Sequence, residues 1–340
     1  MKCPLAITGT GAVSPAGWGC TTLLEAIHSG ASIACSELVR DIDGEILRTP
    51  VLRVSVEGAT SPKFPRLRRT SPISKFAASA VAEALGAARL AEIAAGTLRV
   101  GVVFTVTNGS VNYSNRFFAE VLADSTMASP ILFPETVFNA PSSHVSAMIG
   151  SAAPNDTLIG DSSGFLSGMD LAAEWLQRGE VDGCIVVCAE EIDWLSAEGL
   201  RLYSRSFIPS EGAAAIYLEH AKSPAQVLRL PDPVSLAFSS RNVAARKTRD
   251  RLGAEDDGET LLVDGCAGVP RFDKPEQMAW ANWRGPRWSP RRILGEGMGV
   301  SSGLQVVAAV RALEEGTHRR AIVSAVGANQ QAAGVLLGRI

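Results

Sequence analysis

Two stretches of this chain run through the same order of elements. Residues 163–178 place small and apolar residues at helical spacing, GEVDGCIVV (179–187) leads into an apolar strand over 183–189, and a second strand follows at 213–218. Residues 300–315, with Val306, Val307, Val310 and Leu313 along one side, repeat the helix; GTHRRAIVS (316–324) then leads into strands over 320–326 and 333–337. A repeated helix–strand–strand unit constrains the fold more than any single element does, because each copy must bury the same faces. It predicts an internal duplication of a mixed α/β unit. Around these copies, residues 5–8 read as a short strand, 72–92 as a buried helix and 98–106 as a strand covered on both faces. Shorter strands are expected at 156–160 and 260–265. Residues 220–258 lack alternation and read as the connection between halves, with a basic surface helix in SSRNVAARKTRDR (239–251) and an acidic loop at 255–259.

Composition removes several classes of function. The 340 residues are 46% hydrophobic and 20% charged, which suits a globular chain that buries much of itself. A net charge of −3 argues against general nucleic-acid binding. No apolar run is long enough to span a bilayer, and the N-terminal run reads as a first strand rather than a leader. The cysteines at 3, 20, 35, 184, 188 and 266 form no C-x-x-C, and the chain has 4 His, so neither a zinc site nor any other metal or cofactor is expected. The absence of disulfide spacing points to a reducing cytoplasm.

TLIGDSSGFLSGMD (157–170) contains Gly160-Asp161-Ser162-Ser163-Gly164, a G-x-S-x-G match to the nucleophile elbow of hydrolases. That chemistry needs an acid and a His later in the chain. Only His220 and His318 follow, and no Gly-rich oxyanion segment occurs. The alternative is structural: Asp161 and Ser162 stand where a helix begins and cap its free N–H groups.

Seven segments, in order along the chain, resemble the β-ketoacyl synthases of the thiolase fold. They are AITGTGAVSPAGWG (6–19), FPETVFNAPSSHVSAMIGSAAPNDTLIGDSSG (133–164), GEVDGCIVVCAEE (179–191), FIPSEGAAAIYLE (207–219), LLVDGCAGVPRFDKPE (261–276), LGEGMGVSSGLQVVAAVRAL (294–313) and SAVGANQQAAGVLL (324–337). The resemblance implies an α/β, thiolase-like fold of two duplicated halves in five layers. The N-terminal half is expected over 1–220 and a shortened C-terminal half over 221–340, together one compact unit.

The same resemblance removes the family's chemistry. Its reactive Cys, at the start of a buried helix, falls on Asp161. Its two His fall on Cys266 and Glu296, its Lys on Arg291, and the Phe that gates its pocket on Ala328. A carboxylate is a poor acyl acceptor, since the product would be an anhydride. Glu296 would set negative charge where an enolate's charge develops, and a thiol at Cys266 beside carboxylates would be a poor thiolate. No independent condensing activity is expected.

Non-condensing relatives of this kind pair with an active ketosynthase as chain length factors of type II polyketide systems, and similar partners serve aryl polyene synthesis. The resemblance implies such a heterodimer, formed along the strand Thr157, Leu158, Ile159, whose unpaired edge would be costly. Tyr113, Phe117 and Phe118 would lie near the interface and limit tunnel depth, or else pack as ordinary helix residues; Trp194 and Phe207 are expected in the core. Arg284, Arg287 and Arg292, interleaved with Trp280, Trp283 and Trp288, would offer a basic surface to an acyl carrier protein, or form a solvated loop anchored by Trp. Neither nucleic acid nor a membrane is expected as a partner. Two further readings stay open: a homodimeric pseudoenzyme that binds acyl groups or carrier proteins, and another enzyme reusing Asp161, Cys266 and Glu296.

Overall fold

The apolar start of the chain forms β1 (Leu5–Ser14), twice as long as four residues of alternation suggest, because Gly9 and Gly11 carry it onward against a helix. This computed structural model describes residues 4–55, 64–223, 226–229, 234–237, 240–253 and 256–339. After β1 come β2 (Gly17–Trp18), α1 (Cys20–Ser29) and a separate hairpin of β3 (Ser36–Ile42) and β4 (Glu45–Val51). Then follow α2 (Pro72–Ala94), β5 (Val100–Val106), α3 (Val111–Ala123), α4 (Ala140–Ile149) and β6 (Asn155–Ile159). The first copy of the repeat closes it: α5 (Gly164–Gln177), β7 (Gly183–Glu190), α6 (Trp194–Tyr203) and β8 (Gly212–His220).

The second series is leaner. β9 (Val227–Arg229) is followed by β10 (Val234–Ala237), α7 (Arg241–Leu252), β11 (Leu261–Val263), α8 (Pro270–Ala279), β12 (Arg287–Trp288), α9 (Arg291–Leu294), α10 (Gly299–Glu314), β13 (Arg320–Val326) and β14 (Gln331–Arg339). Residues 220–258 are thus more than a connection. They hold β9, β10 and α7, and strands of three and four residues are too short to show a period. Glu255 of the acidic loop lies outside the described residues.

Strand pairing shows the duplication directly. The first unit orders its strands β1-β8-β7-β5-β6, and the second β10-β14-β13-β11-β12. Each antiparallel or parallel pairing in one has its counterpart in the other: β1·β8 with β10·β14, β7·β8 with β13·β14, β5·β7 with β11·β13, and β5·β6 with β11·β12. β9 pairs with both β1 and β14 and joins the two units edge to edge.

Helices cover these units in five layers. α2 and α4 lie on the outer face of the first, α7 and α8 on that of the second, and α5 and α10 fill the space between them. The central helices must therefore be apolar nearly all round, and α10 is buried over almost its whole length. Such layers close only where side chains vanish. A Cβ on Gly11 would stand 1.9 Å from the Ala80 carbonyl of α2, and one on Gly303 of α10 would stand 2.3 Å from Cys188 Sγ. Replacing Gly11 by Ala should therefore cost about 1–3 kcal/mol, read as a lowered urea midpoint with an unchanged m-value. Gly164→Ala, whose Cβ meets nothing within 4 Å, should cost nothing.

Candidate functional site

A cavity of about 470 Å³ opens at the C-terminal ends of the central strands, between the start of α5 and the loop before α10. Its polar floor is Asp161, Ser162, Thr107, Asn108, Arg291, Glu296 and Asn329, and Ala328 stands at its rim. A vestibule of about 320 Å³ continues it outward past Tyr203, Phe272, Arg241 and Arg271. Three distant parts of the sequence, carrying Asp161, Arg291 with Glu296, and Ala328, thus meet in one space. Cys266 does not: it is buried behind the cavity floor.

The capping expected of Asp161 and Ser162 is not what forms: the N-cap of α5 is Ser163, without a side-chain capping bond, and Asp161 closes the turn just before it. Its Oδ1 accepts from the Ser163 amide (3.0 Å) and hydroxyl (2.8 Å), while Oδ2 lies against Gly327, 3.5 Å from the Asn329 amide. The helix N-terminus is where a carboxylate is stabilised. Ser162 is buried at the cavity floor, and neither His available to a hydrolase is near it. His220 bonds the Leu176 carbonyl and His318 the Glu259 carbonyl.

Arg291 is the centre of a buried charge cluster. Its Nη1 donates to the Gly265 carbonyl (2.6 Å), and the guanidinium forms an ion pair with Glu296. Glu296 Oε1 also accepts from the Met298 amide (2.8 Å) and the Ser301 hydroxyl (3.3 Å). Behind Arg291 lie the buried carboxylates Asp264, Asp273 and Glu276. Burial, reinforced by Asp264, pushes the Glu276 carboxyl up to about 7. Burial and the charges of Glu276, Asp264 and Asp273 push the Cys266 thiol far above its ordinary range, so it has no thiolate character.

Sequence reasoning passed over several cavity residues. Met298 adopts φ 51, a left-handed conformation that is strained for a side-chain-bearing residue, and its sulfur accepts from the Asn108 side-chain amide (3.0 Å). Glu190, at the end of β7, accepts from the Thr107 and Asn108 amides and so holds the cavity-lining loop after β5; burial pushes its carboxyl up to about 8. Two acids closing a strand that is otherwise wholly apolar were the available signal. α6 forms one wall with Leu195, Leu200, Leu202 and Tyr203. The β3–β4 hairpin braces it: Arg40 stacks on half-buried Trp194 at 3.4 Å and pairs with Glu198, and Arg201 donates to the Thr49 hydroxyl. Phe207 is buried, but it also lines the cavity, so it is more than core packing.

The remaining positions lie elsewhere. Tyr113, Phe117 and Phe118 sit on α3 and do not line the cavity. Tyr113 donates to the Arg69 carbonyl, Phe117 packs on Phe133, and Phe118 is 61% exposed. β6 carries Thr157, Leu158 and Ile159 and among the described residues pairs only with β5. Arg284, Arg287 and Arg292 are all exposed, and the Arg287 guanidinium also forms an ion pair with buried Asp264. Trp280 is buried, and its Nε1 donates to Ser324, anchoring that loop. Among the described residues no group of three or more His, Cys, Asp or Glu could hold a metal ion, and no helix is long and apolar enough to cross a membrane.

A family model described as the N-terminal domain of β-ketoacyl synthases matches residues 2–223. No curated protein matches the sequence. Among solved structures, the ishigamide ketosynthase/chain length factor is similar with a TM-score of 0.84 at 19% identity, covering 99% of each chain. A β-ketoacyl synthase from Burkholderia phymatum STM815 is similar with a TM-score of 0.81 at 14% identity, covering 99% of this chain and 100% of that one. The ketosynthase ApeO in complex with its chain length factor ApeC from Xenorhabdus doucetiae gives 0.81 at 12% identity, covering 99% and 98%. At such identities the likeness is one of fold, which is the thiolase-like five-layer arrangement.

The buried charges generate two expectations. Removing Arg291 alone, as Arg291→Met, leaves Glu296 buried and unpaired and should cost about 3–5 kcal/mol, while adding Glu296→Leu should restore more than half of the loss in urea unfolding. Glu190 is raised from its ordinary 4.5 to about 8. A carboxyl whose folded pKa is raised takes up a proton on folding, so its contribution is full below the unfolded value and is lost as pH rises through the folded one. Unfolding free energy should therefore fall between about pH 5 and about pH 8, by up to about 1.4 kcal/mol per pH unit for one fully titrating group. Glu190→Gln should flatten that slope.

Proposed function

We propose that this chain, which belongs to the β-ketoacyl synthase family, is a non-condensing subunit of the chain-length-factor kind. It pairs with an active ketosynthase and shapes the space into which that partner's acyl chain grows. One observation carries this reading. The cavity where the family's reaction would occur presents a carboxylate, Asp161, and an ion pair, Arg291–Glu296, but neither a Cys nor a His. An acyl group finds no thiolate there, and an enolate finds no imidazole.

The partner surface is the open edge of β6 with α3 beside it. Ile159 on β6, Phe118 and Leu122 on α3, and Ile131 are all more than half exposed, apolar surface of the type that marks an interface. Phe117 and Phe118 then act across the interface, on the partner's tunnel rather than on this chain's own cavity. Arg284 and Arg292 remain the candidate contacts for an acidic carrier protein. The halves 1–220 and 221–340 work as one unit in this reading. The homodimeric alternative uses the same edge. An enzyme acting through Cys266 is disfavoured by the burial and raised pKa of that thiol.

Co-expression with an intact Cys-His-His ketosynthase, followed by size-exclusion chromatography and extension from malonyl carrier protein, tests the proposal. A stable heterodimer whose product length changes with Phe118→Ala supports it. A chain that elutes as a homodimer and leaves the ketosynthase's products unaltered overturns it.

A further inference from the structure

We infer that the vestibule in front of the cavity is a binding site for a small carboxylate that carries an aromatic ring, its carboxylate held by the Arg241 and Arg271 guanidiniums. The site stands or falls independently of the pairing proposed above, because it is built from the charge and wall chemistry of the vestibule alone.

The vestibule, about 320 Å³, is flanked by Arg241 and Arg271, and none of the described residues that line it is an acid. Arg241, at the start of α7, is half-buried and fixed: its Nε donates to the Gly327 carbonyl (2.8 Å) and its Nη2 to the Phe272 carbonyl (2.9 Å). Among the described residues its Nη1 has no partner. The carboxylates of Glu276, Asp273 and Asp161 act on it through space, yet none of them forms an ion pair with it. Arg271, in the first turn of α8, is exposed and among the described residues has neither a hydrogen bond nor an ion pair. Ser204 accepts from the Ser206 amide (3.2 Å) and keeps its hydroxyl proton to donate. Together the cavity and the vestibule are lined by three guanidiniums, Arg241, Arg271 and Arg291, and by two carboxylates, Asp161 and Glu296. One positive charge is left over, and a monoanion balances it. Guanidinium forks hold a carboxylate by paired, charge-assisted bonds.

The walls choose the rest of the ligand. Leu202, Tyr203, Phe272 and Ala328 line both spaces, so a body attached to the carboxylate lies against them. Leu202 and Tyr203 are 89% and 57% exposed, and among the described residues no other ring packs on Tyr203. Phe272 is fixed as a wall by Phe207, edge-on at 4.9 Å, and by Arg241, 4.0 Å over its ring. A flat ring gains more from such walls than a saturated body does, because aromatic pairs add to the burial of area.

Isothermal titration calorimetry of the purified chain with 3-phenylpropanoate, 3-phenyl-1-propanol, 3-cyclohexylpropanoate and phenyl phosphate tests the site. 3-Phenylpropanoate should bind about tenfold more tightly than the alcohol, the size of one charge-assisted bond's preference. It should bind about threefold more tightly than the cyclohexyl compound. Arg271→Met should weaken 3-phenylpropanoate about tenfold and leave the alcohol unchanged. Arg320→Met removes a charge at the other end of β13 and should change neither. Tyr203→Leu should erase the lead of 3-phenylpropanoate over the cyclohexyl compound. If 3-phenylpropanoate does not bind, if the alcohol equals it, or if Arg320→Met weakens it as much as Arg271→Met does, the site is overturned. If phenyl phosphate binds more tightly than 3-phenylpropanoate, the carboxylate assignment fails. If the cyclohexyl compound matches 3-phenylpropanoate, the aromatic assignment fails. Each of these failures leaves the heterodimer to its own test by chromatography.

Discussion

The contact of backbone on backbone between α2 and β1 is the constraint from which the rest of this structure follows. Gly9 and Gly11 leave no room for a Cβ, because the carbonyls of Ala84 and Ala80 stand where one would go. Sheet and helix therefore touch at main-chain distance, and β1 is held flat enough to pair with β8 along one edge and β9 along the other. Gly168 and Gly303 do the same for the central helices, against Val186 and Thr105 and against Cys188 and Ala214. Five layers close where small residues allow it, with Phe104, Phe165 and Tyr217 packed between those contacts. The cavity opens at the strands' C-terminal ends, between the start of α5 and the loop before α10.

Chemistry collects at that end for a topological reason. The first turns of α5 and α10 and the loops after β11 and β13 converge at one end of the stacked sheets. Charges placed there are buried but still within reach of one another. Arg291 neutralises Glu296, shares its field with Glu276, and binds the Gly265 carbonyl, so one guanidinium ties the connection before α10 to the loop after β11 and to α8. Such a cluster is costly to desolvate, and it stands only because every member is present. An arrangement that must remain complete to be tolerated leaves little freedom to donate to a substrate.

Much of this was legible in the sequence. The repeated helix–strand–strand order at 163–218 and 300–337 is the duplication seen in strand pairing, and the glycine-rich segments fell on the closest contacts. Asp161, Arg291, Glu296 and Ala328 do meet in one cavity. What could not be read was geometry that no local period encodes. Cys266 is buried away from the cavity lining, in a loop that Asp264 and Asp273 hold through the Cys266, Ala267 and Gly268 amides. Arg287 looks like a surface residue among prolines and tryptophans, yet a buried acid captures it. The α6 wall depends on a hairpin far upstream, joined to it by one arginine lying on one indole.

The place of Asp161 just before α5 makes sense in these terms. A helix N-terminus offers free amides and a positive field, and a carboxylate set beside it is stabilised by that field. Asp161 takes the Ser163 amide and hydroxyl and so closes the turn that leads into α5. Its charge belongs to the local structure of the chain, and the apolar walls beside it come from α6 and the loop before α10, segments remote from that turn in sequence.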